Sequence, residues 1–276
     1  MEELEKLRIV LVEPTHPGNI GAVARSMKTM GLGGLVLVNP HKFPHQEATR
    51  RAAGAADVLQ NAKVVDSVRS SIADCTLVFG TSVRDREVSL PTLDPRQAAA
   101  KMLQHIGVKN QQSAVNPRTT ESQQGAILFG RESRGLTNDE LALCNWQIRI
   151  GANPQYSSLN LASAVQIISY ELRMTASQQR ANSPPTEVNS GGTATNPLSP
   201  QQRREQSANL TQREGHFAHL LETLEQLEFI KSRPPTLLMR KLTRLYNKAE
   251  LSVEEIQILR GILTAIQTQL RRSNKQ

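Results

Sequence analysis

The 276-residue chain, 38% apolar and 21% charged, has the make-up of an ordinary folded protein with enough length for one or two cored domains. No run reaches the roughly 18 apolar residues of a membrane-spanning helix. The start, MEELEKLRIV, has acids where a secretory leader needs positive charge, so a cytoplasmic protein is expected.

Leu7–Val12 is a continuous apolar run, the pattern of a buried parallel strand. Asn19 stands where an N-cap belongs, before Ile20, Val23, Ala24, Met27 and Met30 at helical spacing, and Gly31 is a C-cap glycine. Strands are expected at 35–38, 62–65, 76–79, 126–129 and 146–150. Helices are expected at 48–59, 67–73, 95–106 and 159–174, and residues 111–124 read as a polar surface insertion. Alternating strands and helices with short connections imply an α/β domain over residues 1–175, a parallel sheet covered by helices on both faces. Pro, Gly, Ser, Thr and Asn supply 15 of the 19 residues from 182 to 200, which marks 176–200 as a flexible linker. Residues 201–276 give three helical patterns, a small α-helical extension. Its last helix opens on the capping box Ser252–Glu255 and carries Ile256, Leu259, Ile262, Leu263 and Ile266 on one face.

The net charge of +8 is unevenly placed. Residues 1–174 hold 19 Lys/Arg against 16 Asp/Glu, and residues 201–276 hold 13 against 8. A basic excess favours a polyanionic partner, nucleic acid first. Cys75 and Cys144 sit in or beside apolar elements and read as reduced, buried residues. No GxGxxG turn or GxxxxGK[ST] loop is present, which argues against standard dinucleotide and P-loop nucleotide sites. His41 and His45 lack a carboxylate or Cys cluster, so no metal is expected. His216 and His219, one turn apart, read as a polar helix face. Glu132 is a candidate acid or base, with a solvated ion-pair loop shared with Arg131 and Arg134 as the plainer reading. Three polar loops follow strands: 80–83, 130–132 and 151–158. Ligands in open α/β sheets bind beyond the carboxyl ends of strands, so these loops are where a site is sought.

Three segments carry a resemblance: Asn19-Ile20-Gly21-Ala22-Val23-Ala24-Arg25, Phe129-Gly130-Arg131-Glu132-Ser133-Arg134-Gly135-Leu136-Thr137, and Asn153-Pro154-Gln155-Tyr156-Ser157-Ser158-Leu159-Asn160-Leu161-Ala162. Together they resemble the ordered motifs of the SPOUT RNA 2′-O-methyltransferases, and within them the TrmJ branch, which methylates the ribose of nucleotide 32 in the tRNA anticodon loop. The resemblance covers about residues 7–175. It implies a C-terminal trefoil knot, which no residue pattern shows, and a homodimer with no membrane association. It implies S-adenosylmethionine held by Thr81, Ser82, Val83, Gly130, Ile150, Ser157, Ser158, Leu159 and Asn160. Arg25 is implied as the catalytic residue, acting on the partner subunit's cofactor, with Ser158 and Asn160 orienting the reactants. A guanidinium does not lose its proton near neutral pH, so stabilising a developing alkoxide suits Arg25 better than acting as a base. Asn19 and Glu132 would frame the site or contact RNA. Arg84, Arg86, Arg131 and Arg134 are candidate tRNA contacts beside the cofactor loops, and Arg240, Lys241, Arg244 and Lys248 form a second basic cluster. The alternatives are ribosomal RNA as substrate, or a non-catalytic RNA-binding protein on the same scaffold.

Overall fold

The computed structural model describes residues 4, 7–83, 90–113, 124–181, 206–230 and 234–273. The candidates Arg84 and Arg86, most of the expected insertion and most of the expected linker lie outside them. The chain falls into two compact units, Met1–Pro197 and Leu198–Gln276.

The first unit is built on a seven-stranded parallel sheet flanked by helices. In chain order its strands are β1 (Leu7–Val12), β2 (Gly34–Val38), β3 (Lys63–Val65), β4 (Cys75–Thr81), β5 (Thr92–Leu93), β6 (Gln124–Phe129) and β7 (Trp146–Ile148). Their spatial order is β3-β2-β1-β6-β4-β7-β5. The central strands are buried on both faces, which is why β1, β2, β4 and β6 read as largely apolar runs. Polar Arg8 of β1 is accommodated at the base of the sheet. Its guanidinium donates to both Asp74 carboxylate oxygens (2.8 and 2.9 Å), to the Ser71 carbonyl (2.6 Å) and to Gln124. The edge strand β5 escaped the sequence reading because two residues carry no periodicity.

The helices of this unit are α1 (Pro17–Met30), α2 (Gln46–Ala52), α3 (Ala56–Gln60), α4 (Val68–Ile72), α5 (Pro95–Ser113), α6 (Asn138–Ala142) and α7 (Leu161–Ala181). Ile20, Val23, Ala24 and Met27 bury one stripe of α1, and α7 packs against both α1 and α5. Gly31 ends α1 in the left-handed conformation, φ 81°. The start of α1 departs from the expectation. Pro17 takes the first turn, so Asn19 lies inside the helix and is not its N-cap. The single helix expected at 48–59 is broken by a 3₁₀ turn, Ala53–Ala55, with Ala53 at φ 49°. Lys28 of α1 donates to the Gly54 carbonyl at the break (3.0 Å) and to Asp57 (2.7 Å), a tertiary contact that no local pattern announces. Helices α5 and α7 run seven residues further than their apolar spacing indicated.

The second unit contains α8 (Leu210–Gln226), α9 (Thr236–Lys248) and α10 (Val253–Ser273). Its core is unexpectedly polar. Arg213, His216, Thr223 and Asn247 are buried, with Arg213 donating to the Asn247 side-chain oxygen at 3.1 Å. His216 meets the Tyr246 ring edge-on at 5.1 Å, so it belongs to the core and not to a polar face. Burial, then the nearby charges of His219 and Arg260, hold its pKa below the usual histidine value. The Ser252–Glu255 capping box forms at 2.7 and 3.2 Å. Ile256 and Leu263 of α10 are buried, but Ile262 is 53% exposed and lies outside the stripe assigned to it.

Gly21 sets the approach of α1 to α2: a Cβ there would lie 2.1 Å from the Ala48 carbonyl oxygen. Gly21→Ala is expected to destabilise the first unit by about 1–3 kcal/mol, the usual cost of overpacking. Chemical denaturation checks this, with a lowered midpoint at unchanged slope as the expected result.

Candidate functional site

A cleft opens beyond the carboxyl ends of the central strands, where the topology of an open α/β sheet places ligands. Three segments distant in sequence line it: Thr81–Val83 at the end of β4, Phe129–Gly135 after β6, and Ile148 to Ala164 through β7 and the start of α7. Of the residues assigned to a ligand from the sequence, Thr81, Ser82, Val83, Gly130, Ile150, Ser158 and Leu159 line this cleft. Ser157 and Asn160 do not, and neither does Arg25, which is exposed on α1.

Each wall is fixed by hydrogen bonds that leave part of it available. The Thr81 hydroxyl donates to the Leu128 carbonyl at 3.0 Å and keeps its lone pairs. Ser82 N donates to the Ile148 carbonyl (3.1 Å), and the Gln147 amide donates back to the Ser82 carbonyl (3.2 Å). The wall after β6 folds back on itself. Gly135, at φ 70°, donates its N–H to the Arg131 carbonyl at 2.8 Å. A Cβ at Gly130 would sit 2.1 Å from the Gly135 carbonyl carbon and the Leu136 nitrogen, so only glycine permits this return. The Gly151–Ser158 loop is organised by Asn153. Its side-chain oxygen accepts from Gln155 N (3.0 Å) and its carbonyl accepts from Tyr156 N (2.9 Å).

Asn19, Glu132 and Asn160 come together in one hydrogen-bonded chain. Glu132 accepts from Thr15 N (3.2 Å), the Thr15 hydroxyl (3.0 Å), His16 N (3.4 Å) and the Asn19 amide (3.2 Å). Asn19 in turn accepts from the Asn160 amide at 3.2 Å, and the Asn160 oxygen accepts from Ala162 N at 2.9 Å, capping α7. Burial works against the Glu132 charge. Hydrogen bonds from its own backbone N–H, from Asn19 and from Thr15 outweigh it and hold the carboxyl below its usual range.

Arg131 was a candidate phosphate contact, with Glu132 as its ion-pair partner in the plainer reading. The structure pairs it elsewhere. Its guanidinium is held between Glu13 and Glu140 and is only 9% exposed. Arg134 is 65% exposed and reaches Glu13 at 3.6 Å. Sequence reading passed over Glu13 because it ends an apolar run in an unremarkable turn. Glu140 carried a signal, the Thr137-x-x-Glu140 capping box, which forms as such at the start of α6.

Comparison with known proteins gives consistent matches over both units. Residues 6–170 match the SpoU rRNA Methylase family, and residues 211–275 match the C-terminal domain of the tRNA methyltransferase TrmJ. The chain is 40% identical over 264 residues to the tRNA (cytidine/uridine/adenosine-2′-O-)-methyltransferase TrmJ of Pseudomonas aeruginosa, covering 96% of this chain and 95% of that one. It is 43% identical over 266 residues to the tRNA (cytidine/uridine-2′-O-)-methyltransferase TrmJ of Salmonella typhimurium, covering 96% and 98%. The crystal structure of TrmJ from Z. mobilis superposes with a TM-score of 0.71 at 31% identity, covering 94% of this chain and 98% of that one.

Because the folded-state pKa of Glu132 is depressed, its charge stabilises the site fully above about pH 4.3, the unfolded value, and ceases to do so as pH falls through the folded value. Glu132→Gln is therefore expected to be less stable than wild type at neutral pH. The difference should narrow below about pH 4. Thermal unfolding of both proteins between pH 7 and 3 checks it.

Proposed function

The chain belongs to the SpoU methylase family, in its TrmJ branch, and from that premise we propose that it methylates the ribose 2′-hydroxyl of tRNA using S-adenosylmethionine. The observation that carries the reading is the convergence of the 81–83, 130–135 and 148–164 segments on one cleft. Nucleotide 32 of the anticodon loop is the proposed target on the motif resemblance alone, and cytidine or uridine as its nucleoside is supported by the names of the relatives.

The residues present fit such a cofactor. Ile148, Ile150, Leu159 and Leu161 offer an apolar surface suited to a flat heterocycle, beside the hydroxyls of Thr81, Ser82 and Ser158 and a glycine-lined wall at Gly130. When bound, the cofactor's sulfonium supplies an electrophilic methyl group. Ser82 and Ser158 orient the polar end, and the 130–135 wall excludes water. Asn160 acts through its cap on α7 and its bond to Asn19, as a positioning residue.

In the proposed dimer, Arg25 serves the partner subunit's cleft. Its exposure on α1, outside the lining of its own chain's cleft, supports this. Its guanidinium binds the neighbouring phosphate and stabilises the charge that grows on the 2′-oxygen, while the hydroxyl proton passes to water. The trefoil knot implied by the resemblance is also part of the proposal. Its support is the placement of β6 between β1 and β4, with β7 beyond β4 and α7 returning to pack on α1. The proposed tRNA contacts are Arg134 beside the cleft, Arg84 and Arg86, which follow Thr81–Val83 in sequence, and, in the helical extension, Arg240, Lys241, Arg244 and Lys248. The domain division at 175 and 200 belongs to the same proposal.

Incubation with labelled S-adenosylmethionine and bulk RNA, followed by mapping of the labelled nucleotide, tests the reading. Label on a tRNA ribose is expected. Label on a base refutes the mechanism, and label on ribosomal RNA ribose moves the substrate. Arg25→Ala is expected to lower turnover by about 10²–10³-fold, the scale of losing one stabiliser of developing charge. Calorimetric affinity for the cofactor should stay within about twofold, and near-normal turnover would remove Arg25 from the chemistry. Affinity for tRNA is expected to fall steeply between 50 and 200 mM salt, as phosphate contacts require.

A further inference from the structure

Arg131 follows Gly130 at the point where β6 leaves the sheet, and it is gripped from two sides. Its Nε donates to Glu13 at 2.7 Å and one terminal nitrogen donates to the other Glu13 oxygen. The same fork donates to both Glu140 oxygens at 3.0 Å. Glu13 belongs to the turn after β1, where it sits at φ 45° with its N–H donated to the Val38 carbonyl. Glu140 belongs to the first turn of α6, where it also accepts from Thr137 N at 2.7 Å. One guanidinium thus ties together the ends of β1 and β6 and the start of α6. Donation to Glu13 and then to Glu140 raises the Arg131 pKa, and acceptance from Arg131 lowers that of Glu13, so the charged state is favoured on both sides.

This grip bears on the cleft directly. The backbone from Gly130 to Gly135 is a cleft wall, and its first and last residues are joined by the Gly135–Arg131 hydrogen bond. Its position is therefore set at Arg131, by two carboxylates that do not themselves line the cleft. We propose that Glu13 and Glu140 are positioning residues for the cofactor, acting through the Arg131 fork on the 130–135 wall. Arg131 is then a clamp and not a phosphate contact. The inference rests on the proposed use of this cleft by S-adenosylmethionine.

Only a planar, multi-donor cation can satisfy two carboxylates in bidentate fashion. Replacing either carboxylate by an amide breaks one pair but keeps shape and, at position 140, the capping bond. Lysine at 131 keeps the charge but loses the fork.

The experiment is titration of the full-length protein with S-adenosylmethionine by calorimetry, together with steady-state kinetics varying cofactor and tRNA separately. Wild type must bind first; no binding would refute the use of the cleft and the positioning role with it, whereas the variants below test the positioning role alone. Given binding, Glu13→Gln and Glu140→Gln are each expected to raise the cofactor Kd and KM about tenfold. The tRNA KM and kcat at saturating cofactor should stay within about twofold. Arg131→Lys should behave like the glutamine variants. A purely structural role would lower the binding stoichiometry at unchanged Kd, which overturns the proposal. So would wild-type cofactor affinity in both glutamine variants. If Arg131→Lys kept cofactor affinity and Arg131→Ala instead reduced the salt dependence of tRNA binding, Arg131 would be a phosphate contact after all. Glu171→Gln, which breaks the exposed pair with Arg96 on α5, is the control and should leave cofactor affinity unchanged.

Discussion

Helix α1 begins without an anion of its own. No acidic residue lies in its first turn, and its cap residue His16 makes no side-chain capping bond. The charge that a helix N-terminus favours comes instead from Glu132, more than a hundred residues away, which accepts from the backbone of Thr15 and His16 and from Asn19. That single carboxylate joins the end of β1 to the end of β6. Through Asn19 and Asn160 the joint continues to the start of α7. A site assembled from three loops needs such a tie, because each loop alone is a short turn with several accessible conformations.

The second tie, around Arg131, has different physics. Glu132 is satisfied by neutral donors, whereas Arg131 balances two opposing charges in a half-buried setting. Removing either carboxylate there unbalances the remaining pair, and removing the guanidinium would leave two anions without their shared partner. Glycine completes the arrangement. Gly130 lets the backbone return within contact of Gly135, and Gly80 leaves room for Leu141 and Cys144 beneath the cleft. The cleft walls are therefore set by polar ties on one side and by the absence of side chains on the other.

The helical extension is stabilised in another manner. Its helices start with capping boxes at Asn209–Gln212 and Ser252–Glu255, but much of its core is polar, organised by Arg213, His216, Thr223 and Gln267. Polar cores specify one arrangement more sharply than they stabilise it. Several apolar residues, among them Leu237, Leu245, Ile258 and Ile262, remain exposed on α9 and α10.

Local pattern determined much of the fold. Largely apolar runs announced β1, β2, β4 and β6, because a strand covered on both faces has no polar side to show. The i, i+3, i+4 stripe announced α1, and Gly31 its end. The positions of the three polar loops pointed to a site, and seven of the nine residues that the family resemblance assigned to the cofactor line its cleft. What tertiary structure alone decided were the partners. Asn19 looked like a cap and is a link; Arg131 looked like a surface cation and is paired between two carboxylates; His216 looked like a polar face and is core. Glu13 gave no signal at all. The reason is common to these cases. Periodicity reports which face of an element is apolar. Which carboxylate meets which guanidinium is fixed by the strand order that brings β6 beside β1, and that order is written in no single segment.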